Sequence, residues 1–550
     1  MSSVSAHVAV TLARHVDHVF GVMGNGNAHF LDAIERRTDA VFTAVRHEAG
    51  GVVAADAFHR AGGGLAAATA TYGAGFTNTL TALAESVQAH VPLLLVVGDE
   101  PTSGRRPWDV DQIAMASAVG ARTYTAGRTD AAATTVIAIE HALAYRVPVV
   151  LAIPYDVAAR EAGEVADAPL PGIPAPLQPA SPYARSAVHE MAAALAVAER
   201  PLLLAGRGAW ISGASDVLGE LAAATGALTA TSALGRGVFP DDRYDLGVTG
   251  GFGAERAMEL VRQADVAVVF GASLNQFTMR FGELFAPGTR VYQVDTAPTA
   301  THPNVGGFVR ADVTATARLL LNDLRATGAA PSGWRESVDV PAARTQEPGD
   351  DLAPDGRLDP RSAARRIAEL LPEDRVVVSD GGHFIGWANM YWPVASPDRM
   401  IMVGTAFQSI GFGFASVPGA ALAKPRSTVV LTTGDGGGLM ALADLESAVR
   451  VAGGRGLAVV WNDAAYGAEV NLYGLKGLAE APMRIPEVDF AGLAAAVGAE
   501  GVAVRTLADL DRLAEWAARP ADERPFLLLD LRISGAVVAP YQQEIIRVNS

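Results

Sequence analysis

The sequence contains no cysteine among its 550 residues. Disulfide bonds, thiolate nucleophiles and cysteine-bound zinc are therefore excluded. No stretch reaches the roughly 18 consecutive apolar residues that a membrane-spanning helix needs. The first twenty residues mix His, Arg and Asp into a helical pattern and carry no cleavage signal of a secretory leader. These absences predict a soluble cytoplasmic protein that does not associate with membranes.

An excess of positive charge is also missing, because 43 Lys and Arg residues face 59 Asp and Glu residues, for a net charge of -16. Binding to nucleic acid without regard to sequence depends on clustered Lys and Arg, so no nucleic-acid partner is expected. The sequence also lacks internal repeats, a His-Glu-x-x-His motif and a Gly-x-Ser-x-Gly motif. Zinc-protease and serine-hydrolase chemistry therefore find no support.

The order of apolar runs predicts three units, which also agrees with a length of about 150 residues per domain. Strands are predicted at "HVFGVMG", "VFTAVRH", "LAAATAT", "PLLLVVGD", "PVVLAIP", "RPLLLAGRGA", "VAVVFGA", "VYQVDT", "RVVVSDGG", "STVVLTTGDG", "GLAVVWND" and "FLLLDLR". Strands that alternate with helices imply a parallel sheet with both faces covered. We therefore expect an α/β protein with three doubly wound parallel-sheet domains, over residues 1–167, 183–328 and 358–550. A proline-rich linker, residues 168–182, separates the first two.

The stretch "LTTGDGGGLM", residues 431–440, runs from an apolar strand into four glycines and Asp435. Glycines let backbone N–H groups approach a phosphate closely. A dinucleotide motif would need another glycine where Leu439 stands, and a Walker loop would need Lys followed by Ser or Thr. A carboxylate beside such a turn suits Mg²⁺, although a tight turn with a solvated aspartate is the alternative.

The next predicted strand ends in Asn462 and Asp463, within "AVVWNDAAYG". The carboxyl ends of neighbouring parallel strands lie at the same edge of a sheet. An oxygen ligand from this strand end would therefore converge with Asp435 on one cation. The residues themselves leave open whether Asn462 or Asp463 is that ligand.

Together, "GDGGGLMALADLESAVRVAGGRGLAVVWNDAAYG" resembles the diphosphate and magnesium motif of thiamine diphosphate enzymes. The resemblance covers nearly the whole chain, in the domain order pyrimidine-binding, middle and diphosphate-binding, as in acetolactate synthases, pyruvate oxidases and 2-oxo acid decarboxylases. It implies that the glycines admit the diphosphate and that Mg²⁺ binds Asp435, Asp463 and the carbonyl of Ala465. The glycines concerned are Gly434, Gly436 and Gly437. The loop "AGGRG" is one residue longer than is usual in this family. If the extra residue lies in this loop, Asp463 is the ligand, and if it does not, Asn462 is the ligand instead.

The resemblance also assigns residues around the organic part of the cofactor. Glu48, in "VRHEAGGVV", would exchange a proton with the aminopyrimidine ring, and apolar neighbours are expected to raise its pKa. The alternative is an ordinary glutamate at a helix start. Ile410 would support the bent cofactor, and the carbonyl of Gln408 would accept from its amino group. Gly382 and His383 would lie beside the diphosphate, although His383 has the alternative of a surface histidine. Tyr466 is expected near the cofactor as a packing residue, and His29 is also predicted to be a packing residue.

For the substrate, the resemblance implies Asn25, Gln112 and Glu469, with the first two from one subunit and Glu469 from its partner. A shared site requires a homodimer or homotetramer. The paired histidines of pyruvate decarboxylases are absent, and Asp111 stands where acetolactate synthases carry Phe. The identity of the substrate therefore stays open.

The implied activity is that of a lyase or transferase that cleaves or forms a C–C bond next to a carbonyl. Its substrate would be a small 2-oxo acid or acyl donor, with decarboxylation or acyl-anion carboligation as the reaction. A flavin oxidase of the same architecture is one alternative, with FAD or an ADP-like group at "GRGAW" and "GASLNQFTMRF". A catalytically silent cofactor-binding subunit is another, although the presence of Glu48 speaks against it.

Overall fold

The computed structural model describes residues 2–165, 167 and 169–549. The predicted domain ends at residues 1 and 550, and the first residue of the predicted linker, lie outside the described residues. Within the described part, no helix combines the length and the apolar character needed to cross a membrane. The residues that remain of the predicted linker, up to the start of a helix at Pro182, contain no helix or strand.

The first sheet is built from six parallel strands near the N-terminus. The strands are β1 (His18–Gly21), β2 (Val41–Ala44), β3 (Ala67–Ala70), β4 (Leu93–Asp99), β5 (Arg122–Thr125) and β6 (Pro148–Pro154). The helices are α1 (Val4–Leu12), α2 (Ala28–Arg37), α3 (Glu48–Arg60), α4 (Ala74–Thr77), α5 (Leu80–Gln88), α6 (Gln112–Ala118) and α7 (Ala131–Tyr145). The strand order is β2-β1-β3-β4-β6-β5. Every residue of the central strand β4 is buried, as the apolar run "LLLVVGD" predicts.

The second sheet also has six parallel strands. They are β7 (Pro201–Ala205), β8 (Leu228–Thr231), β9 (Asp245–Val248), β10 (Val266–Phe270), β11 (Arg290–Asp295) and β12 (Val305–Arg310). The helices are α8 (Pro182–Ala196), α9 (Arg207–Ile211), α10 (Ser215–Thr225), α11 (Glu255–Gln263), α12 (Val313–Thr327) and α13 (Val340–Ala343). The order is β12-β11-β10-β7-β8-β9, so the strand sequence reverses between β10 and β7.

The third sheet repeats the strand order of the first. Its strands are β13 (Arg375–Ser379), β14 (Met400–Ile401), β15 (Thr428–Gly434), β16 (Gly456–Asn462), β17 (Glu500–Val504) and β18 (Leu527–Arg532). The helices are α14 (Pro360–Leu370), α15 (Ile385–Tyr391), α16 (Gly413–Ala423), α17 (Asp435–Met440), α18 (Asp444–Ala452), α19 (Gly467–Glu469), α20 (Phe490–Ala496), α21 (Asp511–Ala518) and α22 (Pro540–Asn549). The order is β14-β13-β15-β16-β18-β17, and all pairs are parallel.

Three parallel sheets flanked by helices confirm the predicted α/β class. The first and third sheets pack against each other within the chain through α3 and α16. A Cβ built on Gly419 would lie 1.9 Å from the carbonyl oxygen of Ala54, so the two helices approach at backbone distance. Only glycine permits that contact.

Candidate functional site

A cavity of about 70 Å³ lies at the carboxyl edge of the third sheet, where parallel sheets bind ligands. β15 and β16 are neighbours, with Gly434 paired to Trp461, so the residues that follow the two strands converge. The lining residues are Gly381, Gly382, His383, Phe384, Ile410, Gly434, Asp435, Gly436, Gly437, Trp461, Asp463, Ala465, Tyr466, Gly467, Ala468, Glu469 and Ile533. Most residues predicted to bind the cofactor and metal therefore surround one space.

Two carboxylates dominate the electrostatics of this cavity. Burial, together with the negative charge of Asp463, raises the pKa of Asp435 to about 7. Burial also raises the pKa of Asp463 to about 6. Asp435 is only 3% exposed. Two desolvated carboxylates in one cavity repel each other unless a cation lies between them, so this pair fits a divalent cation.

In the described part of the chain, no group of three His, Cys, Asp or Glu residues gathers that could hold a metal ion. Ala465 lines the same cavity, and its carbonyl accepts no hydrogen bond from any described residue. Mg²⁺ commonly completes its six ligands with phosphate oxygens and water. Two carboxylates and one carbonyl therefore suffice for a magnesium diphosphate complex.

The side chains of Asn462 and Asp463 have different surroundings in the structure. The Asn462 amide donates to the carbonyl of Val488 and to Asp530, at 3.1 and 2.9 Å, away from the cavity. Asp463 lines the cavity and Asn462 does not. Successive residues at a strand end point to opposite sides, so only one of the two can face the cation. The geometry favours Asp463 over Asn462.

The glycines after β15 have a packing role within the chain itself. A Cβ on Gly436 would lie 2.7 Å from the ring of Tyr466, and one on Gly437 would lie 2.8 Å from Oδ2 of Asp380. Side chains at these positions would displace both neighbours. Tyr466 therefore packs on the first turn of α17, and it also lines the cavity.

Asp380, which follows β13, holds the segment that carries Ile410 but was not predicted. Its carboxylate accepts from the N–H groups of Gly411 and Phe412 and from the hydroxyl of Thr433. A Cβ on Gly381 would lie 3.1 Å from Cγ2 of Ile410. The strand-end rule that selected Asp435 would also have selected Asp380, because "VVVSDGG" ends its strand in the same way.

The same segment is anchored from the first sheet by charged side chains that are almost fully buried. Arg60 donates to the carbonyl of Met402 at 2.8 Å and to Glu85 at 2.9 Å. Glu85 in turn accepts from the N–H of Phe407 at 2.7 Å. The backbone of Gln408 has a φ of 59°, and its exposed side chain does not line the cavity. No local sequence pattern predicts the contacts of Arg60 with Met402 and of Glu85 with Phe407, because each pair lies more than 300 positions apart.

The predicted residues of the first sheet form a separate polar cluster. Glu48 begins α3 half-buried, and its Oε2 accepts from Asn78 at 2.9 Å. Asn25 donates to the hydroxyl of Tyr72 at 2.8 Å. The expected apolar surroundings of Glu48 thus include a polar amide.

Gln112 is held at the same edge, where its Oε1 accepts from the N–H of Gly73 and its amide donates to the carbonyl of Gly98. Of the residues predicted from sequence, Glu48, Asn25 and Gln112 do not line the cavity. Among the described hydrogen bonds, none joins these three side chains to a cavity residue.

Two further predictions concern histidines. His383 is 7% exposed and lines the cavity, so it is a buried cavity residue and the alternative of a surface histidine is wrong. His29 lines a different crevice of about 310 Å³ between α1 and α2, together with Asp32, Arg37 and Glu161. That crevice lacks the glycine turn and the paired desolvated carboxylates, so its greater volume does not make it the better candidate.

Three family models match the chain in succession. Residues 2–118 match the model described as "Thiamine pyrophosphate enzyme, N-terminal TPP binding domain". Residues 188–324 match the central domain of the same family. Residues 380–529 match its C-terminal TPP binding domain. The third match contains the whole glycine turn and both carboxylates of the cavity.

Curated relatives extend over nearly the full chain. A sulfoacetaldehyde acetyltransferase from Roseovarius nubinhibens is 26% identical and covers 100% of this chain and 94% of its own. A protein of the same name from Rhodobacter capsulatus is 28% identical, over 99% of this chain and 96% of its own. An acetolactate synthase from Mycobacterium avium is 26% identical, over 96% of this chain and 86% of its own.

Proposed function

Because the chain belongs to the thiamine pyrophosphate-dependent enzymes, we propose that it binds thiamine diphosphate with Mg²⁺ and cleaves or forms a C–C bond next to a carbonyl. The observation that carries the proposal is the pair of desolvated carboxylates, Asp435 and Asp463, at adjacent strand ends. Under this proposal residues 1–167, 183–328 and 358–550 are the pyrimidine-binding, middle and diphosphate-binding domains.

Five cavity residues have a role in the proposed binding of the metal and the diphosphate. Asp435, Asp463 and the carbonyl of Ala465 hold Mg²⁺, which offsets the repulsion between the two carboxylates. The turn at Gly436 and Gly437 offers backbone N–H groups to the diphosphate. When bound, thiamine diphosphate supplies an electron sink for a carbanion next to a carbonyl.

Glu48 has the proposed role of moving a proton to and from the aminopyrimidine ring, which an amide cannot do. Asn25 and Gln112 orient the substrate, and Ile410 supports the cofactor with a side chain that is stiff at χ1. We further propose that the chain forms a homodimer or homotetramer in which the first sheet of one copy faces the cavity of another. The separation of Glu48 from the cavity residues supports a shared site.

The names of the relatives suggest two reactions, the synthesis of acetolactate and an acetyl transfer that involves sulfoacetaldehyde. We favour decarboxylation or carboligation of a 2-oxo acid, with acyl transfer as the competing reaction within the same chemistry. Both reactions make the carbonyl carbon of the donor a carbanion equivalent, so the same cofactor supports either.

The deciding experiment incubates the purified enzyme, thiamine diphosphate and Mg²⁺ with pyruvate, longer 2-oxo acids, sulfoacetaldehyde and hydroxyacyl-CoA thioesters, and identifies products by mass. We expect turnover of at least one donor that stops when a chelator is added. Binding of the cofactor without turnover of any donor would favour a silent subunit. An absorption spectrum of the same preparation reports whether a flavin is bound.

A further inference from the structure

His383 lies between the cavity and the C-terminal segment, which we define as residues 533–549. His383 lines the cavity. Its Nε2 accepts a buried hydrogen bond from the N–H of Ala539 at 3.1 Å. This backbone donor comes from a residue 156 positions away in the sequence.

A ring nitrogen that accepts a hydrogen bond carries no proton. Burial lowers the pKa of His383 to about 4, so the ring is neutral near pH 7 and its single proton resides on the other nitrogen, Nδ1. A Cβ on Gly467 would lie 3.4 Å from Nδ1, which places that nitrogen at the cavity wall formed by residues 465–469. Within the described part of the chain, Nδ1 makes no hydrogen bond.

The C-terminal segment is fixed on both sides of the cavity. The hydroxyl of Tyr541 donates to the carbonyls of His383 and Gly382, at 2.7 and 3.2 Å. The amide of Gln542 donates to the carbonyl of Ala468 at 3.2 Å. Tyr541 is buried, and a Cβ on Gly386 would lie 2.8 Å from its ring. The N–H of Ala539 is therefore held in place by neighbours that touch both walls.

We propose that Ala539 is a positioning residue whose N–H locks His383 in the Nδ1–H tautomer, so that the ring presents a donor to an anionic oxygen in the cavity. With the other tautomer, Nδ1 would present a lone pair to that oxygen and repel it. The identification of this anion as a diphosphate rests on the proposed function. The tautomer itself is a property of the chain without any ligand.

The first test is a long-range ¹H–¹⁵N NMR spectrum of the full-length protein labelled with ¹⁵N-histidine, without cofactor, near pH 7. His383→Asn identifies the His383 signals by their disappearance. We expect the Nε2 shift of an unprotonated nitrogen and the Nδ1 shift of a protonated one. The reverse pattern would overturn the proposal whether or not the enzyme binds thiamine diphosphate.

The second test compares two amide substitutions by isothermal titration of thiamine diphosphate with Mg²⁺. The amide of Asn reaches approximately the position of Nδ1, whereas that of Gln reaches approximately the position of Nε2. We expect His383→Asn to retain affinity within about threefold and His383→Gln to lose roughly tenfold, the scale of one hydrogen bond to a charged group. Equal affinities would show that Nδ1 donates to nothing.

A third variant acts on the C-terminal segment. Ala539→Pro removes the N–H that His383 accepts, and Val538→Pro is the control, because the Val538 N–H makes no hydrogen bond among the described residues. Ala539→Pro should change the tautomer pattern of His383 and lower cofactor affinity roughly tenfold, while Val538→Pro changes neither. If the pattern of His383 is the same in both variants, Ala539 does not set it. Tyr541→Phe, which keeps that N–H, should keep the wild-type pattern.

Discussion

The first and third sheets have the same strand order, yet the residues that follow their strands are arranged differently. In the third sheet, β15 runs into a glycine turn whose backbone borders the cavity. In the first sheet the corresponding edge is filled by the chain itself, since a Cβ on Gly98 would lie 2.6 Å from Cα of Gly26. The N–H of Gly26 is also satisfied by the hydroxyl of Thr71 at 2.8 Å.

The two edges therefore differ in whether two desolvated carboxylates lie in one cavity. Polar groups of the first edge bond one another, as Gln112 does with Gly73 and Gly98. At the third edge two carboxylates are buried and have raised pKa values. Identical topology thus carries two different sets of loops, and only the loops of the third edge bring two desolvated carboxylates together among the described residues, as expected where the loops rather than the sheet determine function.

The largest expected effect is that of Asp435→Ala on cofactor binding. Without this carboxylate one anionic oxygen of the proposed Mg²⁺ site is lost, and we expect binding of thiamine diphosphate to weaken at least roughly 100-fold. Isothermal titration with and without Mg²⁺ measures the loss. The matched control is Asp99→Asn at the first edge, which should bind normally. Tight binding by Asp435→Ala would remove the distinction between the two edges.

Glu48→Gln should affect rate and not binding. An amide cannot exchange a proton with the cofactor ring, so we expect turnover to fall by roughly 10² to 10⁴ while cofactor affinity stays within a few-fold. Hydrogen–deuterium exchange at C2 of the cofactor, followed by NMR after acid quench, reports this proton transfer directly. Exchange at the wild-type rate in this variant would show that Glu48 only begins helix α3 and takes no part in the proton transfer.

A mixture of Glu48→Gln and Asp435→Ala subunits tests whether the two edges meet across a subunit interface. If they do, each hybrid dimer has one intact site, and random mixing restores up to about a quarter of the wild-type sites. If each site is built within one chain, no subunit carries both residues and no activity returns. Activity after denaturation and joint refolding of the two variants, compared with each alone, decides between these outcomes.

The sequence pattern predicted the central strands of the three sheets better than the edge strands. β5, β9, β12, β14 and β17 were not predicted, and all five are edge strands. Edge strands are short or partly polar, so hydrophobic pattern identifies them poorly. β14 has two residues, and β17 is mostly half-exposed. β8 was also missed, although it is fully buried, because "LTAT" is only four residues long.

The candidate site shows the same limit. Asp435, Asn462 and Asp463 were candidates because they follow or end apolar strands. The sequence pattern does not show which of Asn462 and Asp463 faces the cavity, because that depends on the side of the sheet on which each side chain lies. Tyr541 lies 159 residues from Gly382, and its contact there leaves no local pattern in the sequence. Contacts that depend on tertiary packing are therefore the part that sequence reasoning missed.

A smaller effect is expected in the pH dependence of stability without ligands. The pKa of Asp435 rises from 3.8 in the unfolded chain to about 7 in the folded protein. The folded state then binds more protons between these values, so its free energy of unfolding falls as pH rises from about 4 to about 7. Asp435→Asn should lack this component, and at pH 8 it should be more stable than the wild type by roughly 1 to 3 kcal/mol.

Urea unfolding at pH 5 and pH 8 measures this difference, and the same series with Mg²⁺ and cofactor provides the comparison. Ligand binding to the folded state should recover the stability of the wild type but not that of the variant. A parallel series with Asp99→Asn shows whether the first edge behaves differently. Equal pH dependence of the wild type and Asp435→Asn would mean that the carboxylates at the third edge are not desolvated in solution.

The smallest effect is expected for Glu469→Gln. Glu469 ends the short helix α19 and lines the cavity, yet its side chain is exposed. Its charge lies close enough to contribute to the raised pKa of Tyr541, after the larger effect of burial. Under the proposed function, a carboxyl group here would return a proton to the carbanion formed next to the carbonyl, which would favour aldehyde release over carboligation. We expect Glu469→Gln to leave cofactor affinity unchanged and to shift the ratio of aldehyde to carboligation product by roughly two- to fivefold, a difference below about 1 kcal/mol.

Gas chromatography of the products formed from a 2-oxo acid that the enzyme turns over measures this ratio, with Glu480→Gln as the control for a change of surface charge. If both variants give the wild-type ratio, Glu469 borders the cavity without acting in the reaction.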